Sequence, residues 1–476
     1  MLSQHARVYR AALRELKKAS LPPHKINPAL STNFRALAEK SRQSNTILED
    51  FRSAVAFMGS QREHKTLLER YNPLIDLTAE ERIEATARRV GLNMPKTPGI
   101  TSSDTRRALD IAAQHLGQRQ PVGFPTETVY GLGALALDEA AASQIFSVKG
   151  RPADNPLIVH VSSHEMLRSL LPDSFDIPKP YQTLMRRFWP GPLTLLFPSD
   201  SNLVPSIITA GQNTVAVRMP SHPVARALIA LTNKPIAAPS ANSSGKPSPT
   251  TAQHVYRDLG NKISTILDGG ACGVGLESTV IDGLSDENCI RVLRPGGVTV
   301  EDIEKVLEEE AVDGQSIPRV LVHQRDFRDS ALEAAPSTPG MKYQHYSPSV
   351  PVVLLMTLSS PPEGISPLNG TSFLSSLRNS AANATSTIKV GLLFLSDSKL
   401  GKLPLPDDPR VHWHRYNLGP VGDPSVTARR LFDGLLTLEA QGVDLMLIEE
   451  VREKSEGLAI MNRVKKAAGK VQWISI

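Results

Sequence analysis

The sequence predicts an α/β protein of 476 residues with a helical block ahead of it. From about residue 104, short apolar runs alternate with amphipathic stretches and glycine-rich turns, the texture of strands and helices around a sheet. A second, shorter set of the same kind begins near Val350. The first hundred residues show only helical periodicity. At roughly 150 residues per domain the length suits about three units. The expected division is a helical segment at 1–95, a larger α/β domain at 104–310, a linker at 311–349 and a smaller α/β domain at 350–476.

In the helical block, HARVYRAALRELKK places Val8, Ala12 and Leu16 on one stripe, and Ile47, Phe51, Val55 and Met58 repeat that period. LTAEERIEATARRVG carries its own punctuation: Thr78 as N-cap, Glu81 at the capping-box position, Ile83, Ala87 and Val90 on one face, and Gly91 as terminator. In the middle, QPVGFPTETVYGLGALAL, PLIVHVSS, PGPLTLLFPSD, NTVAVRMPSHP, KPIAAPSANSSG and ESTVIDG read as strands ending in polar or glycine-rich turns. Near the end, VPVVLLM, TIKVGLLFLS and VDLMLIEE read as buried strands. DPSVTARRLFDGLLTLEAQG is an amphipathic helix carrying Leu431, Leu435 and Leu438, stopped by Gly442. The Ser-, Asn- and Pro-rich stretch from Leu358 to Ser386 reads as a mobile insertion.

Charge is unevenly spread. Residues 1–100 hold 17 Lys+Arg against 10 Asp+Glu, and the remainder holds 36 against 38, so the net +5 belongs to the helical block. The rest of the chain lacks the bulk basicity of a nucleic-acid binder. No run approaches the ~20 apolar residues of a membrane span, and the N-terminus lacks the apolar core of a secretory signal. Cys272 and Cys289 are too few for a disulfide framework or a cysteine zinc site; both are expected to be buried thiols in a reducing compartment.

Chemistry is expected where the middle strands end. FPTETVYGLG supplies the hydroxyls of Thr126 and Thr128 beside glycines that admit a ligand to the backbone. KGRPADNP supplies Lys149, Arg151 and Asn155, the two cations held between Gly150, Pro152 and Pro156. AAPSANSSGKPSPT forms a rigid, hydroxyl-rich loop. Its SGKPS is no P-loop, because Ser240 stands at the leading glycine position and Pro247 removes a donor. GLGALA and GVGLES lack the third glycine of a dinucleotide fingerprint. His412 and His414 share a strand face without a third ligand.

Taken in order, FPTETVYGLGA, SVKGRPADNPLIVHV, WPGPLTLLF, VAVRMPSHP, AAPSANSSGKPSPT, ESTVID and VLRPGGV resemble the Sua5/YrdC/YwlC family, the threonylcarbamoyl-AMP synthases. STPGMKYQHYSP and the α/β tail resemble the linker and C-terminal domain of its longer form. The resemblance implies a YrdC-like twisted mixed sheet, a smaller Rossmann-like C-terminal domain, and a nucleotidyltransferase. Its substrates would be L-threonine, bicarbonate and ATP, with Mg2+ in attendance, and its products L-threonylcarbamoyladenylate and pyrophosphate. A separate tRNA-modifying transferase complex would then pass the threonylcarbamoyl group to adenosine 37 of tRNAs reading codons that begin with A.

By motif position the resemblance makes Lys149 and Arg151 the catalytic cations. It puts the amino acid on Thr128, His160, Arg218, Ala238 (through its backbone) and Ser278, and the nucleotide on Arg151, Asn155, Thr214, Ser240, Ser248 and Arg294. The linker would bring His345 and Tyr346 over the nucleotide. Glu127 and Glu277 are candidates near the site, either as metal ligands or as groups that orient local backbone or cations; the metal's ligands are not fixed by the motifs. HARVYRAALREL and the segment from Phe57 to Pro95 resemble the LYR-type mitochondrial assembly factors, including the factor that assembles the catalytic head of ATP synthase, with Val8 where the eponymous leucine would stand. The expected location is the cytoplasm, with a mitochondrial share. The rival reading is a non-catalytic double-stranded-RNA-binding module, whose phosphate contacts would make affinity fall steeply with salt.

Overall fold

The computed structural model describes residues 8–14, 28–40, 42, 46–53, 55, 103–286, 288–311, 316–329, 333, 345–380 and 387–476. The chain forms two compact units, 1–98 and 99–476. In the first, residues 8–14, Pro28–Lys40 and 46–53 are helical. Val8, Ala12, Leu48 and Phe51 are buried together, with Phe34 and Val55 packed against them; the rings of Phe34 and Phe51 lie 5.8 Å apart. The apolar stripe read from Val8 and Ala12 is therefore a packed face. Leu16, Met58 and the helix expected across 77–91 lie outside the described residues.

The second unit holds two sheets. The strands of the first are β1 (Val122–Phe124), β2 (Gly131–Leu135), β3 (Ile158–His160), β4 (Leu193–Pro198), β5 (Thr214–Arg218), β6 (Ile236–Ala237), β7 (Thr265–Ile266), β8 (Thr279–Asp282), β9 (Cys289–Arg294) and β10 (Arg319–Val322). They run in the order β10-β9-β8-β4-β5-β3-β6-β2-β1-β7. The sheet is mixed: β3 and β5 pair in parallel, while β4 and β5, β2 and β6, and β8 and β9 pair antiparallel. Its middle strands are near-continuous apolar runs because helices cover them, and Val159, Leu195, Phe197 and Val217 are fully buried. β10 falls within the segment expected as linker; its apolar RVLV pairs in parallel with Cys289–Val292. Cys272 is buried as expected. Cys289 is only half-buried, because it opens β9 near the sheet's edge.

Two register features position the site. His160 at the end of β3 pairs with Arg218 at the end of β5, so both side chains emerge at one level of the sheet. The helix Glu139–Lys149 is capped by Asp138, whose carboxylate accepts from Ala141 N. It ends at Gly150 in the left-handed conformation, φ +61°, which suits glycine because it has no Cβ. That reversal sends Lys149 and Arg151 in different directions.

The second sheet contains β11 (Val352–Met356), β12 (Leu368–Asn369), β13 (Ile388–Leu395), β14 (Val411–Gly419), β15 (Leu445–Glu449) and β16 (Lys470–Ser475), ordered β12-β16-β11-β15-β13-β14 and parallel throughout. Along β13, Val390, Leu392 and Phe394 join one core, and Leu393 and Leu395 the other, the period of two that covers both faces. The helices Pro424–Ala440 and Glu456–Ala467 pack on one side and Gly370–Ser380 on the other, a Rossmann-like arrangement. The expected mobile insertion is in part this last helix. Phe373, Leu374 and Leu377 recur at helical spacing and bury against Leu355, Val390 and Ile474. The rings of His412 and His414 meet edge-on with centroids 4.6 Å apart on β14, and among the described residues no group of three or more His, Cys, Asp or Glu is placed to hold a metal. No described helix is long and apolar enough to cross a membrane.

Candidate active site

A cleft opens over the ends of β2, β3 and β5. Thr126 and Thr128 form its first wall: their hydroxyls lie 2.8 Å apart, and Thr126 also donates to the carbonyl of Val129 at 2.6 Å, which tightens the turn between β1 and β2. Arg218 reaches across from β5. Its Nε donates to the carbonyl of Gly191 at 3.1 Å, one terminal nitrogen to Thr128 Oγ1 at 2.8 Å, and the other to Glu127 Oε1. Glu127 in turn accepts from the amides of Ser221 (3.0 Å) and His222 (3.4 Å), so the guanidinium is held by a fixed partner. Three of its five N–H groups are engaged in these contacts, and two are left for a carboxylate.

His160 lines the same wall, its Nδ1 3.2 Å from the carbonyl of Ile158. Burial, and next the Arg218 charge, push its pKa down to about 3, so the imidazole is neutral. Ser278 sits opposite, its hydroxyl 2.8 Å from that of Thr194. Arg294, at the end of β9, donates to the Ser278 carbonyl at 2.9 Å and to its hydroxyl at 3.2 Å. Ala238 and Ser240 complete the lining, with the amide of Ala238 already donated to the carbonyl of Ile158 at 2.9 Å.

Arg151 faces the cleft, with Nε on the carbonyl of Asn155 at 3.2 Å and a terminal nitrogen on that of Pro156 at 2.9 Å. Its neighbours in the cleft leave it short of negative charge: burial and then Arg294 lower its pKa, which an incoming anion would reverse. Lys149 is placed differently. It is 3% exposed, does not line the cleft, and gives its ammonium to the carbonyls of Ser240 and Asn242, the latter at 2.5 Å. Burial, followed by Arg151, holds its pKa well below the usual lysine range. Asn155, Thr214 and Ser248 do not line the cleft. The side-chain oxygens of Asn155 and Thr214 are buried without a hydrogen-bond partner, an arrangement costly unless a ligand or water meets them. Ser248 donates to Glu277 Oε1 at 2.5 Å.

His345 and Tyr346 line the cleft from above. Tyr346 is buried at φ +66°, strained for a residue with a Cβ, and stacks on Phe432 of the C-terminal domain at 5.3 Å. The next residue, Ser347, donates its amide to the carbonyl of Gly245 in the serine-rich loop at 2.9 Å. Residues 334–344 lie outside the described set.

Motif reading missed two residues of the C-terminal domain. Arg463, on the helix Glu456–Ala467, is fully buried and donates through Nε to Glu277 Oε2 at 3.1 Å, and through a terminal nitrogen to the carbonyl of Pro295. Lys466, a turn further on, has its pKa lowered to about 7, first by burial and then by Arg463. A signal existed: Arg463 sits on the stripe of Ala459, Ile460, Val464 and Ala467, where an amphipathic helix should be apolar.

Neither nearby carboxylate is free to cage a cation. Glu127 is committed to Arg218 and two amides, and Glu277 to Arg463 and Ser248. The described residues therefore do not fit a resident magnesium site, and any Mg2+ would arrive on substrate phosphates.

Strand ends converging on a polar cleft, roofed by a doubly wound second domain, define a small-molecule α/β enzyme. Family models match three successive stretches. A Complex1_LYR-like model covers residues 5–93, the Sua5, YciO and YrdC domain model, described as "Telomere recombination", covers 114–296, and one described as "Threonylcarbamoyl-AMP synthase, C-terminal domain" covers 298–469. A threonylcarbamoyl-AMP synthase of Schizosaccharomyces pombe is 44% identical over 394 residues, 78% of this chain and 91% of that protein. One of Pyrococcus abyssi is 43% identical over 359 residues, 75% of this chain and 93% of that protein. The crystal structure of P. abyssi Sua5 complexed with L-threonine matches with a TM-score of 0.61 at 42% identity, covering 77% of this chain and 96% of that one. The chain belongs to the Sua5 family of threonylcarbamoyl-AMP synthases.

Proposed function

We propose that this chain condenses L-threonine, bicarbonate and ATP into L-threonylcarbamoyladenylate, pyrophosphate and water. The observation that carries the reading is that one cleft holds two clusters of contrasting chemistry. Arg218, Thr128, Ser278 and the neutral His160 suit an amino acid with a hydroxyl side chain, while Arg151 and Arg294 suit phosphates. The relatives' names and the threonine-bound neighbour agree with that division.

In this mechanism the two N–H groups of Arg218 grip the threonine carboxylate, and Thr128 and Ser278 read its hydroxyl. Condensation of the amine with bicarbonate gives a carbamate and releases water. A carbamate oxygen then attacks the α-phosphorus in line as the bond to pyrophosphate breaks. Arg151 and Arg294 stabilise the charge that grows on the phosphoryl group and leaving group, and Asn155, Thr214, Ser240 and Ser248 seat the nucleotide. Positioning and charge supply the acceleration, with no covalent enzyme intermediate. Lys149 acts by fixing the loop that bears Ser240. Tyr346 and His345 exclude water from the hydrolysable adenylate. Mg2+ accompanies ATP as its counter-ion.

We assign catalysis to 104–310 with β10 completing its sheet, a lid to the linker residues His345 and Tyr346, and an assembly-factor-like role to 1–95. The product would feed a tRNA-modifying transferase complex acting on adenosine 37. We place the enzyme in the cytoplasm, with a mitochondrial share directed by the LYR-like segment. The deciding test is pyrophosphate release by the full chain with ATP and bicarbonate, with and without L-threonine. Threonine-dependent release is expected. No pyrophosphate release with or without threonine, from folded protein, would move the weight to the RNA-binding reading, although cations buried as Arg218 and Arg294 are could not track a duplex backbone.

A further inference from the structure

Glu277 lines the cleft that, on the reading above, receives a triphosphate. A carboxylate there would repel the ligand unless its charge is met. Burial works against its ionisation, yet Arg463 and then Arg294 hold its pKa below the usual glutamate range, so it stays an anion. Arg463 comes from the other domain. Its guanidinium passes from the helix Glu456–Ala467 through the interface, with Nε and a terminal nitrogen both 3.1 Å from Glu277 Oε2 and the remaining nitrogen on the carbonyl of Pro295. Glu277 Oε1 accepts from Ser248, one of the nucleotide residues assigned above. The backbone on either side is tightly set: a Cβ at Gly296 would lie 2.3 Å from the carbonyl oxygen of Glu277.

A buried pair of this kind is a poor source of stability, because desolvation consumes most of the Coulombic gain, and removing one partner strands the other. Its geometry has a different consequence. We propose that Arg463 is a positioning residue of the nucleotide end: it neutralises Glu277 and pins it toward Ser248, so that docking of the C-terminal domain sets the electrostatics of ATP binding. Arg463 does not line the cleft and acts through Glu277. The inference rests on ATP being the ligand of the Arg151 and Arg294 cluster.

The test is calorimetric binding of ATP, and separately of L-threonine, to the full chain as wild type, Arg463→Met, Glu277→Gln and the double variant. Arg463→Met should weaken ATP at least ~10-fold while moving threonine less than ~3-fold, since it strands an anion beside the phosphates. Adding Glu277→Gln should restore most of the loss. Glu277→Gln alone, which leaves the helix untouched, should bind ATP at least as tightly as wild type. Equal weakening of both ligands by Arg463→Met, no recovery in the double variant, or a loss of ATP affinity in Glu277→Gln would each overturn the proposal. Were Arg463→Met to misfold, Glu277→Gln alone would still decide it. Binding needs no turnover, so these outcomes are separate from failure of threonine-dependent pyrophosphate release. Wild-type chain that binds no ATP would overturn both.

Discussion

The ammonium of Lys149 lies 2.5 Å from the carbonyl oxygen of Asn242, and it donates to Ser240 as well. A lysine two residues from a cleft-facing arginine thus serves as the internal tie of the serine-rich loop. Lys149→Met should leave both carbonyls without their donor and lower stability by about 2–3 kcal/mol, at the cost expected for stranded buried acceptors. Urea unfolding would measure it. An unchanged midpoint with activity lost would instead make Lys149 a direct contact to substrate.

Arg151→Ala should have the opposite profile. Arg151 also donates to two carbonyls, those of Asn155 and Pro156, but it is only half-buried, so water can replace it there and the unfolding midpoint should move less than in Lys149→Met. Threonine-dependent pyrophosphate release should fall at least ~100-fold, in line with loss of a charge contact made in the transition state. Full activity in this variant would remove Arg151 from the phosphate cluster.

Replacing His345 and Tyr346 together by alanine should raise the loss of adenylate to water. The quantity to follow is the ratio of intact adenylate to pyrophosphate, which should drop well below that of the wild type. A ratio that stays constant would mean that the residues over the cleft do not exclude water.

Glu449, at the end of β15, offers a pH test of the C-terminal domain. Burial raises its pKa from the ordinary 4.5 to about 7, despite hydrogen bonds from the amide of Leu395 and the hydroxyl of Ser398. A carboxyl raised in the folded state favours folding only while protonated. Its stabilisation is therefore complete below about pH 4.5 and lost as pH rises through about 7, a change of roughly 3 kcal/mol. Relative to wild type, Glu449→Gln should flatten the decline of stability across this window. Parallel curves for the two proteins would show that Glu449 ionises freely in the fold.

Much of this arrangement is legible in the sequence, for reasons that also mark where legibility stops. Thr128, Arg218 and Ser278 are readable because each borders a short apolar strand, and strand ends are where a mixed sheet presents polar groups: Arg218 closes β5, Ser278 precedes β8 and Thr128 lies in the turn between β1 and β2. Their meeting depends on the order β8-β4-β5-β3-β6-β2, which periodicity does not encode. Lys149 and Arg151 stand out as a cation pair. That one turns inward follows from the left-handed Gly150, a backbone fact visible only once the preceding helix is known to stop there. Phe373, Leu374 and Leu377 form a helix inside a stretch whose Ser and Pro content suggested mobility, since three well-spaced apolar side chains outweigh composition when a sheet face needs cover. Arg463 is 186 residues from Glu277, and only its misplaced charge on an apolar stripe hinted at a distant partner.

The clasp between Glu277 and Arg463 also bears on how such proteins can be recombined. A catalytic half carrying a buried acid that is matched from the other half is not an interchangeable cassette. A chimera joining this chain's residues 104–349 to a foreign C-terminal domain would inherit an unmatched anion in its nucleotide cleft unless the donor brought a cation to the same place. Compatibility between halves would then include a charge match at this one point of contact, and a compensating exchange at Glu277 should widen the range of partners the catalytic half accepts.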